Sequence, residues 1–212
     1  MSKPTPPRAS SGSPNAATKR LIHEIQDNAL ALNQALLHLG PVSDDDLFQW
    51  EAVLRGVRGT PYDGGLWLLN ITIPAKYPLE PPKMEFVTPI CHPNIHFETG
   101  EICLTLLTAE HWTPLYTISS TLSAIQQLLN DPTPESPLNI DIANLYREDD
   151  RVGAEALIRY WTAEKRWAGE GKGFWVSEKR AGTSGKLGES YDEGAKMGTM
   201  DPKDDLYRDY RK

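Results

Sequence analysis

The chain has 212 residues, a formal net charge of −7 and a sequence pI near 5.3, and 39% of its residues are hydrophobic. This acidic balance disfavours nucleic acid as a partner, because phosphate binding requires a basic face. We expect no direct membrane insertion and no secretory signal, since the sequence has no run of about 18 apolar residues. Two cysteines are too few for a disulfide scaffold and fit a reducing compartment, so we expect a cytoplasmic protein.

Composition divides the chain into three regions. Residues 1–16 are rich in proline, serine and alanine without an apolar pattern, which predicts a disordered leader. Residues 17–167 carry periodic apolar residues, which predicts one folded domain. Residues 168–212 are rich in glycine and in charges of both signs, which predicts a mostly disordered tail.

The first predicted element is a long amphipathic helix from Thr18 to about Leu39. Its apolar residues recur near helical spacing, and Gly40-Pro41 ends the pattern. These apolar positions are Leu21, Ile25, Leu32, Leu36 and Leu39.

Three strand-like runs follow the helix, and turn-forming residues separate them. The runs are Leu47–Leu54, Leu66–Ile73 and Met84–Val87. Short connections between successive strands predict an antiparallel meander.

Residues 88–117 lack a regular apolar pattern, and a connection of that length in a compact domain is usually functional or disordered. The stretch contains both cysteines and three of the five histidines, a composition that does not suggest disorder. Helical patterns return at Ile118–Leu129, around Leu138–Tyr146, and from Asp150 to about Trp167, where Asp150 can cap the helix. This order of helix, strands, long loop and helices predicts an α+β fold.

The segment from Cys91 to Leu104 has the highest density of reactive side chains. A zinc site is one interpretation, because cysteine and histidine are ligands that zinc prefers. The candidate ligands are Cys91, His92, His96 and Cys103. The two histidines are spaced like a ligand pair, but the cysteines do not form a close pair, so we expect no metal site.

A second interpretation makes both thiols small buried side chains, as is common inside a domain. We prefer it for Cys91, because apolar Ile90 precedes it. A third interpretation makes Cys103 a nucleophile toward a thioester. The tetrahedral oxyanion formed in such an attack needs a hydrogen-bond donor, and the side-chain amide of Asn94 could supply it. The same amide could instead bond its own backbone and shape the loop.

Five motifs in one order, from about Thr18 to Trp167, closely resemble the ubiquitin-conjugating enzyme family. The motifs are Tyr77–Lys83, His92-Pro93-Asn94, Ile102-Cys103-Leu104, Trp112–Pro114 with Thr117-Ile118 behind it, and Leu129–Leu138. The resemblance implies that residues 17–167 form the catalytic domain. Its fold would comprise an N-terminal helix, a four-stranded antiparallel meander, an active-site loop and C-terminal helices, with the fourth strand implied by the family alone.

The same resemblance implies the reaction. Cys103 would accept ubiquitin as a glycyl thioester from an activating enzyme and pass it to an amine or, in one branch, to an acceptor cysteine. Asn94 would stabilise the oxyanion or order the loop, and His92 would be a structural residue of its motif. The activating enzyme consumes the ATP, so we expect no cofactor. Two alternatives stay open: a variant module that binds ubiquitin without conjugating it, although such variants lack the cysteine, and conjugation of another ubiquitin-like protein.

The sequence departs from the common family pattern at three places, and one of them points to a branch of the family. Ser136 stands where the family often has an acidic residue that gates the active site, and Thr105 stands where many relatives carry aspartate. The stretch between Asn94 and Cys103 is also one residue longer than in the commonest members. Preceded by Cys91, this longer stretch resembles the peroxisomal, peroxin-4 branch. That branch implies ubiquitination and recycling of an import receptor at the cytosolic face of the peroxisomal membrane.

The resemblance also implies partner surfaces. Residues at the start of the first helix and in two loops would bind the activating enzyme and a RING-type ligase. These residues are Lys19, Arg20, Leu79, Pro114 and Leu115. The strand face opposite the active site would bind a membrane-anchored partner, which would hold the protein at the peroxisomal membrane.

Overall fold

The structure is a computed structural model that describes residues 16–31 and 35–169, of which residues 28–31 by their backbone only. The predicted leader, except residue 16, and nearly all of the predicted tail lie outside these residues. In chain order the described elements are α1 (Ala16–Ala31), β1 (Leu36–Pro41), β2 (Gln49–Arg55), β3 (Leu66–Thr72), β4 (Lys83–Phe86), a 3-10 turn (Thr105–Leu107), α2 (Ile118–Asn130), α3 (Ile140–Arg147) and α4 (Arg151–Glu164).

The strands form one sheet in the order β1-β2-β3-β4, and each neighbouring pair is antiparallel. The predicted α+β class and the four-stranded antiparallel meander are confirmed. Alternate residues of β2 and β3 face one buried core, as the period of two in a strand requires. The paired core residues are Trp50 and Ile71, Ala52 and Leu69, and Leu54 and Trp67. On α2 the same core continues through Ile118, Leu122 and Ile125.

The prediction of one helix reaching Leu39 is wrong in its second half. α1 ends at Ala31, and Leu36 and Leu39 lie buried in β1. A register shift between Leu36 and His38 leaves Leu37 as an extra residue opposite β2. Such a bulge lets two residues three apart face the core together, which imitates helical spacing. This segment is the fourth strand that the family resemblance implied.

The other helices and strands lie within a few residues of the predicted runs. The predicted cap of α4 is confirmed, because the carboxylate of Asp150 accepts a hydrogen bond from the Gly153 N–H at 2.8 Å. At the start of α2, Thr117 and Ser120 form a capping box. Within residues 16–31 and 35–169, no helix has both the length and the apolar character needed to cross a membrane.

Candidate active site

Cys103 lies in the middle of the long loop, and its side chain is exposed. Its backbone is fixed, because its N–H donates to the Asn94 carbonyl at 2.8 Å and the preceding Ile102 pairs with Ile95. Both isoleucines are buried. Thr105, the start of the 3-10 turn, is exposed as well. Core packing thus holds the backbone around the cysteine and leaves the thiol accessible to a reactant.

His92 is completely buried, and both of its ring nitrogens are hydrogen-bonded. Nδ1 accepts from the Asn94 N–H at 3.0 Å, so Nε2 carries the proton and donates to the Leu128 carbonyl at 2.9 Å. Burial lowers the pKa of His92 to about 4, a shift that the bond to Leu128 only partly offsets. The imidazole is therefore neutral near pH 7 and ties the loop to α2.

Asn94 is also buried, and its side-chain amide is fully hydrogen-bonded to the segment that follows α2. Nδ2 donates to the carbonyls of Thr133 at 2.7 Å and Ser136 at 3.0 Å, and Oδ1 accepts from the Thr133 N–H at 2.8 Å. The neighbouring Pro93 carbonyl accepts from the Leu138 N–H at 2.8 Å. Both amide hydrogens are committed, so the side chain orders the segment here. A contact with an oxyanion would require one of these bonds to be exchanged.

We call residues 129–139 the gate segment, because it carries the predicted gate residue Ser136. The side chain of Ser136 is exposed, and its N–H donates to the Thr133 carbonyl at 3.2 Å. On the side of α3, Nη2 of Arg147 donates to the Pro134 carbonyl at 2.7 Å. The gate segment is therefore held between the loop and α3, chiefly through hydrogen bonds to its backbone.

The stretch between Asn94 and Cys103 is anchored at two points. Gly100 has a φ of +72°, and its carbonyl accepts from the Phe86 N–H at 2.9 Å. A Cβ at this position would collide with the Phe86 backbone, so glycine is required there. Phe97 packs edge-on against Trp161 of α4, with ring centroids 4.8 Å apart. This stretch is thus an integral part of the domain.

Cys91 differs from Cys103 in burial. It is 4% exposed, and burial raises the pKa of its thiol to about 12. It is the buried, unreactive thiol that the sequence predicted. Among the residues that the structure describes, no group of three or more His, Cys, Asp or Glu is placed to hold a metal ion. His92 in particular uses both nitrogens in hydrogen bonds.

The predicted partner residues fall into two groups by exposure. Leu79 and Leu115 are 74% and 89% exposed, and Pro114 and Lys19 are exposed too. These four side chains are accessible to a partner. Arg20 is only partly exposed, and its guanidinium makes hydrogen bonds within the domain.

Those bonds lead to a buried carboxylate that sequence reasoning missed. Glu24 of α1 is 2% exposed. Its Oε1 accepts from Nε of Arg20 and from the hydroxyl of Tyr77, both at 2.6 Å, and its Oε2 accepts from the Ile118 N–H at 2.8 Å. Burial and the Glu24 carboxylate raise the pKa of Tyr77, which keeps its hydroxyl a donor. An acidic residue on the apolar face of α1 was the available sequence signal.

Comparisons with known proteins agree with this geometry. The family model described as ubiquitin-conjugating enzyme matches residues 20–162. A ubiquitin-conjugating enzyme E2 PEX4 from Gibberella zeae is 47% identical over 149 residues, which cover 69% of this chain and 86% of that protein. Protein PEROXIN-4 of Arabidopsis thaliana is 44% identical over 119 residues, which cover 56% of this chain and 75% of that protein. The crystal structure of H. polymorpha Pex4p in complex with the soluble domain of Pex22p matches with a TM-score of 0.67 and 35% identity, covering 73% of this chain and 100% of that chain.

Proposed function

Because the chain belongs to the ubiquitin-conjugating enzyme family and is therefore a transferase, we propose that Cys103 carries ubiquitin as a thioester and passes it to a peroxisomal acceptor. The observation that carries this proposal is the exposed thiol of Cys103 on a backbone held by Asn94, the residue that also orders the gate segment. An accessible thiol on a fixed backbone can meet the thioester of the activating enzyme and then the acceptor.

The chemistry consists of two acyl transfers. The Cys103 sulfur attacks the thioester carbonyl of the ubiquitin C-terminal glycine on the activating enzyme, a new carbon–sulfur bond forms, and the activating enzyme's thiol leaves with the proton. An acceptor amine then attacks the new thioester, the amide forms, and Cys103 leaves as the thiol after taking up the proton that the amine releases. If the acceptor is a cysteine, a new thioester forms instead of the amide. ATP is used by the activating enzyme, so the conjugating domain needs no cofactor of its own.

The gate residue sets the second transfer apart from the common pattern. Ser136 offers a hydroxyl in place of the carboxylate that many family members have there, so attraction for an incoming ammonium is weaker. Activation of a lysine then depends more on the ordered backbone that Asn94 holds and on a RING-type ligase. A cysteine acceptor makes no comparable demand for charge, which fits the branch in which the acceptor is an import receptor.

We further propose recruitment to the cytosolic face of the peroxisomal membrane by an anchored partner. Support comes from the relatives named PEX4 and PEROXIN-4 and from the complex of H. polymorpha Pex4p with the soluble domain of Pex22p. Apolar side chains are exposed at both edges of the sheet, Leu37 on β1 and Val87 directly after β4. A pull-down with the soluble domain of a Pex22p-type partner tests the recruitment, and failure to bind it would count against the peroxisomal assignment.

A charging assay tests the enzymatic proposal. The full chain is incubated with ubiquitin-activating enzyme, ATP and ubiquitin, and adducts are resolved with and without reductant. We expect a reductant-sensitive adduct for wild type, a reductant-resistant oxyester for Cys103→Ser, and a stable amide for Cys103→Lys. Cys91→Ala is the matched control, because its buried thiol should leave charging unchanged. A wild-type chain that stays uncharged, or a Cys103→Ser variant that still forms the reductant-sensitive adduct, would refute the proposal, as would charging only by another ubiquitin-like protein.

A further inference from the structure

We propose that Glu24 is a positioning residue whose buried carboxylate fixes the two loops carrying Leu79 and Leu115 relative to one another, and thereby sets the affinity for the activating enzyme. The exposed side chains of Leu79, Pro114 and Leu115 are called the two-loop surface below. The inference rests on the proposed function and adds a residue remote from the thiol chemistry that controls partner docking.

The first loop is fixed through Tyr77. Its hydroxyl donates to Oε1 of Glu24 at 2.6 Å, and its ring is 1% exposed. Leu79 follows only two residues later. Nε1 of Trp112 donates to the Pro78 carbonyl at 2.8 Å, which joins this loop directly to the second one. The exposed leucine therefore projects from a backbone that is held at each of the two residues before it.

The second loop is fixed by the same carboxylate and its counter-ion. Oε2 of Glu24 accepts from the Ile118 N–H at 2.8 Å, and Nη2 of Arg20 donates to the Tyr116 carbonyl at 2.9 Å. Tyr116 and Ile118 lie one and three residues after Leu115. One carboxylate on α1 thus reaches both loops.

A charged group is needed at this point because three donors converge on Glu24. Ile118 is the first residue of α2, where the unpaired N–H groups and the helix dipole favour an anion. The other two donors are the Tyr77 hydroxyl and the Arg20 guanidinium. A glutamine has one acceptor oxygen and brings two donors of its own, so at least one bond must fail in Glu24→Gln.

Glu24 cannot touch a partner itself, since it is 2% exposed. The two-loop surface, in contrast, contributes little to the core, because Leu79 and Leu115 are 74% and 89% exposed. An effect of Glu24 on docking must therefore pass through the groups that it bonds, which are the two loops and Arg20. A purely structural role would lower stability and leave partner affinity unchanged.

The test measures the initial rate of Cys103 charging by ubiquitin-activating enzyme as a function of conjugating-enzyme concentration. For Glu24→Gln we expect the KM to rise about tenfold with kcat within about twofold, because docking is weakened and the thiol is not. Tyr77→Phe removes a single hydrogen bond and should raise the KM about threefold, which keeps the test possible if Glu24→Gln fails to fold. Discharge of preformed thioester to free L-lysine, without a partner, should match wild type in both variants.

Two controls separate positioning from destabilisation. Thr88→Val removes one buried hydrogen bond, the 3.0 Å bond from the Leu68 N–H, which involves neither loop, and should leave the KM unchanged. Leu115→Ala should raise the KM directly, and adding Glu24→Gln to it should raise the KM by less than the product of the single effects. Unchanged KM in Glu24→Gln, independent effects in the double variant, or an equal rise in Thr88→Val would overturn the inference. If wild type itself is not charged, the proposed function fails instead.

Discussion

The gate segment beside Cys103 and the two-loop surface are both irregular in conformation, but different kinds of group hold them. On the side of the loop, neutral groups hold the gate segment: the Pro93 carbonyl and the Asn94 amide bond it directly, and the His92 imidazole bonds the adjoining Leu128. The charged donor on the other side, the guanidinium of Arg147, is exposed to solvent. An ion pair between Glu24 and Arg20 holds the two-loop surface. Neutral hydrogen bonds contribute roughly 0.5–1.5 kcal/mol each, and bonds to charged groups about 1.5–3 kcal/mol.

This difference suits what each region has to do. In the proposed function an acceptor approaches the thioester past the gate segment. The neutral bonds from Pro93 and Asn94 can be exchanged one at a time there without leaving a buried charge unpaired. The loops of the two-loop surface depend on one buried carboxylate. If any of its hydrogen bonds is broken, the negative charge of Glu24 is less well compensated and the folded state is destabilised. We therefore expect that the gate segment can change its conformation near the thiol, whereas the loops of the two-loop surface keep theirs.

Asn94→Ala should give the largest effect, because it removes the hydrogen bonds that hold the gate segment. It deletes two donated bonds and one accepted bond, so we expect discharge of the Cys103 thioester to free lysine to slow by about 100-fold. Single-turnover discharge of preformed thioester measures this rate. Hydrogen exchange at the Thr133 amide in the uncharged protein should increase in the same variant, because that N–H loses its acceptor.

The two readouts distinguish the alternatives for Asn94. Slower discharge with unchanged exchange across residues 129–139 would show that the amide acts only on the oxyanion and does not order the gate segment. Thr121→Val is the control for the loss of one hydrogen bond away from the gate segment, because it removes the bond from the Thr121 hydroxyl to the Thr117 carbonyl at the start of α2.

The sequence predicted the fold better than it predicted how the site is held. The strands β2 and β3 are short runs whose central residues are almost all buried, and turn-forming residues separate them, so they were readily found. β1 was missed because a bulge at Leu37 lets its two buried leucines, Leu36 and Leu39, stand three residues apart. A local pattern cannot reveal a register shift, since the shift is defined by the partner strand.

In the site, too, the local features could be predicted and the long-range contacts could not. The thiol of Cys103 and the amide of Asn94 belong to a contiguous motif-rich segment, so the sequence alone identified both as candidate site residues. The sequence did not reveal their hydrogen-bond partners, because Asn94 bonds residues 133 and 136, and Glu24 bonds Ile118, 94 positions away. Long-range partners of this kind follow only from the tertiary structure.

His92 provides the next largest effect, a dependence of stability on pH. Its pKa is about 4 in the folded state against an ordinary value of 6.5, so below pH 6.5 the unfolded chain binds a proton that the folded protein does not. The free energy of unfolding should therefore fall as the pH drops from 6.5 toward 4, by about 2 kcal/mol at pH 5 from this group. Urea denaturation at pH 7 and pH 5 measures it.

His92→Gln is the matched variant for that measurement. Glutamine keeps a donor for the Leu128 carbonyl but has no group that titrates in this range. Its difference in stability between pH 7 and pH 5 should be smaller than that of wild type by the amount that His92 contributes. Equal differences in the two proteins would mean that the ring protonates as readily when folded as when unfolded.

Arg20→Lys is expected to have the smallest effect, and it tests whether the ion pair between Arg20 and Glu24 stabilises the two loops by more than its charge. Lysine keeps the charge beside Glu24 but lacks the planar fork that also binds the Tyr116 carbonyl, so we expect a loss of about 1 kcal/mol in unfolding free energy. The adjacent Lys19→Ala removes an exposed charge and should change stability by less than about 0.5 kcal/mol. In the charging assay the order can reverse, since Lys19 is free to contact the activating enzyme directly while Arg20 acts through the loops. If Lys19→Ala destabilises the protein as much as Arg20→Lys does, the internal bonds of Arg20 contribute nothing beyond its charge, and the ionic network does not hold the loops.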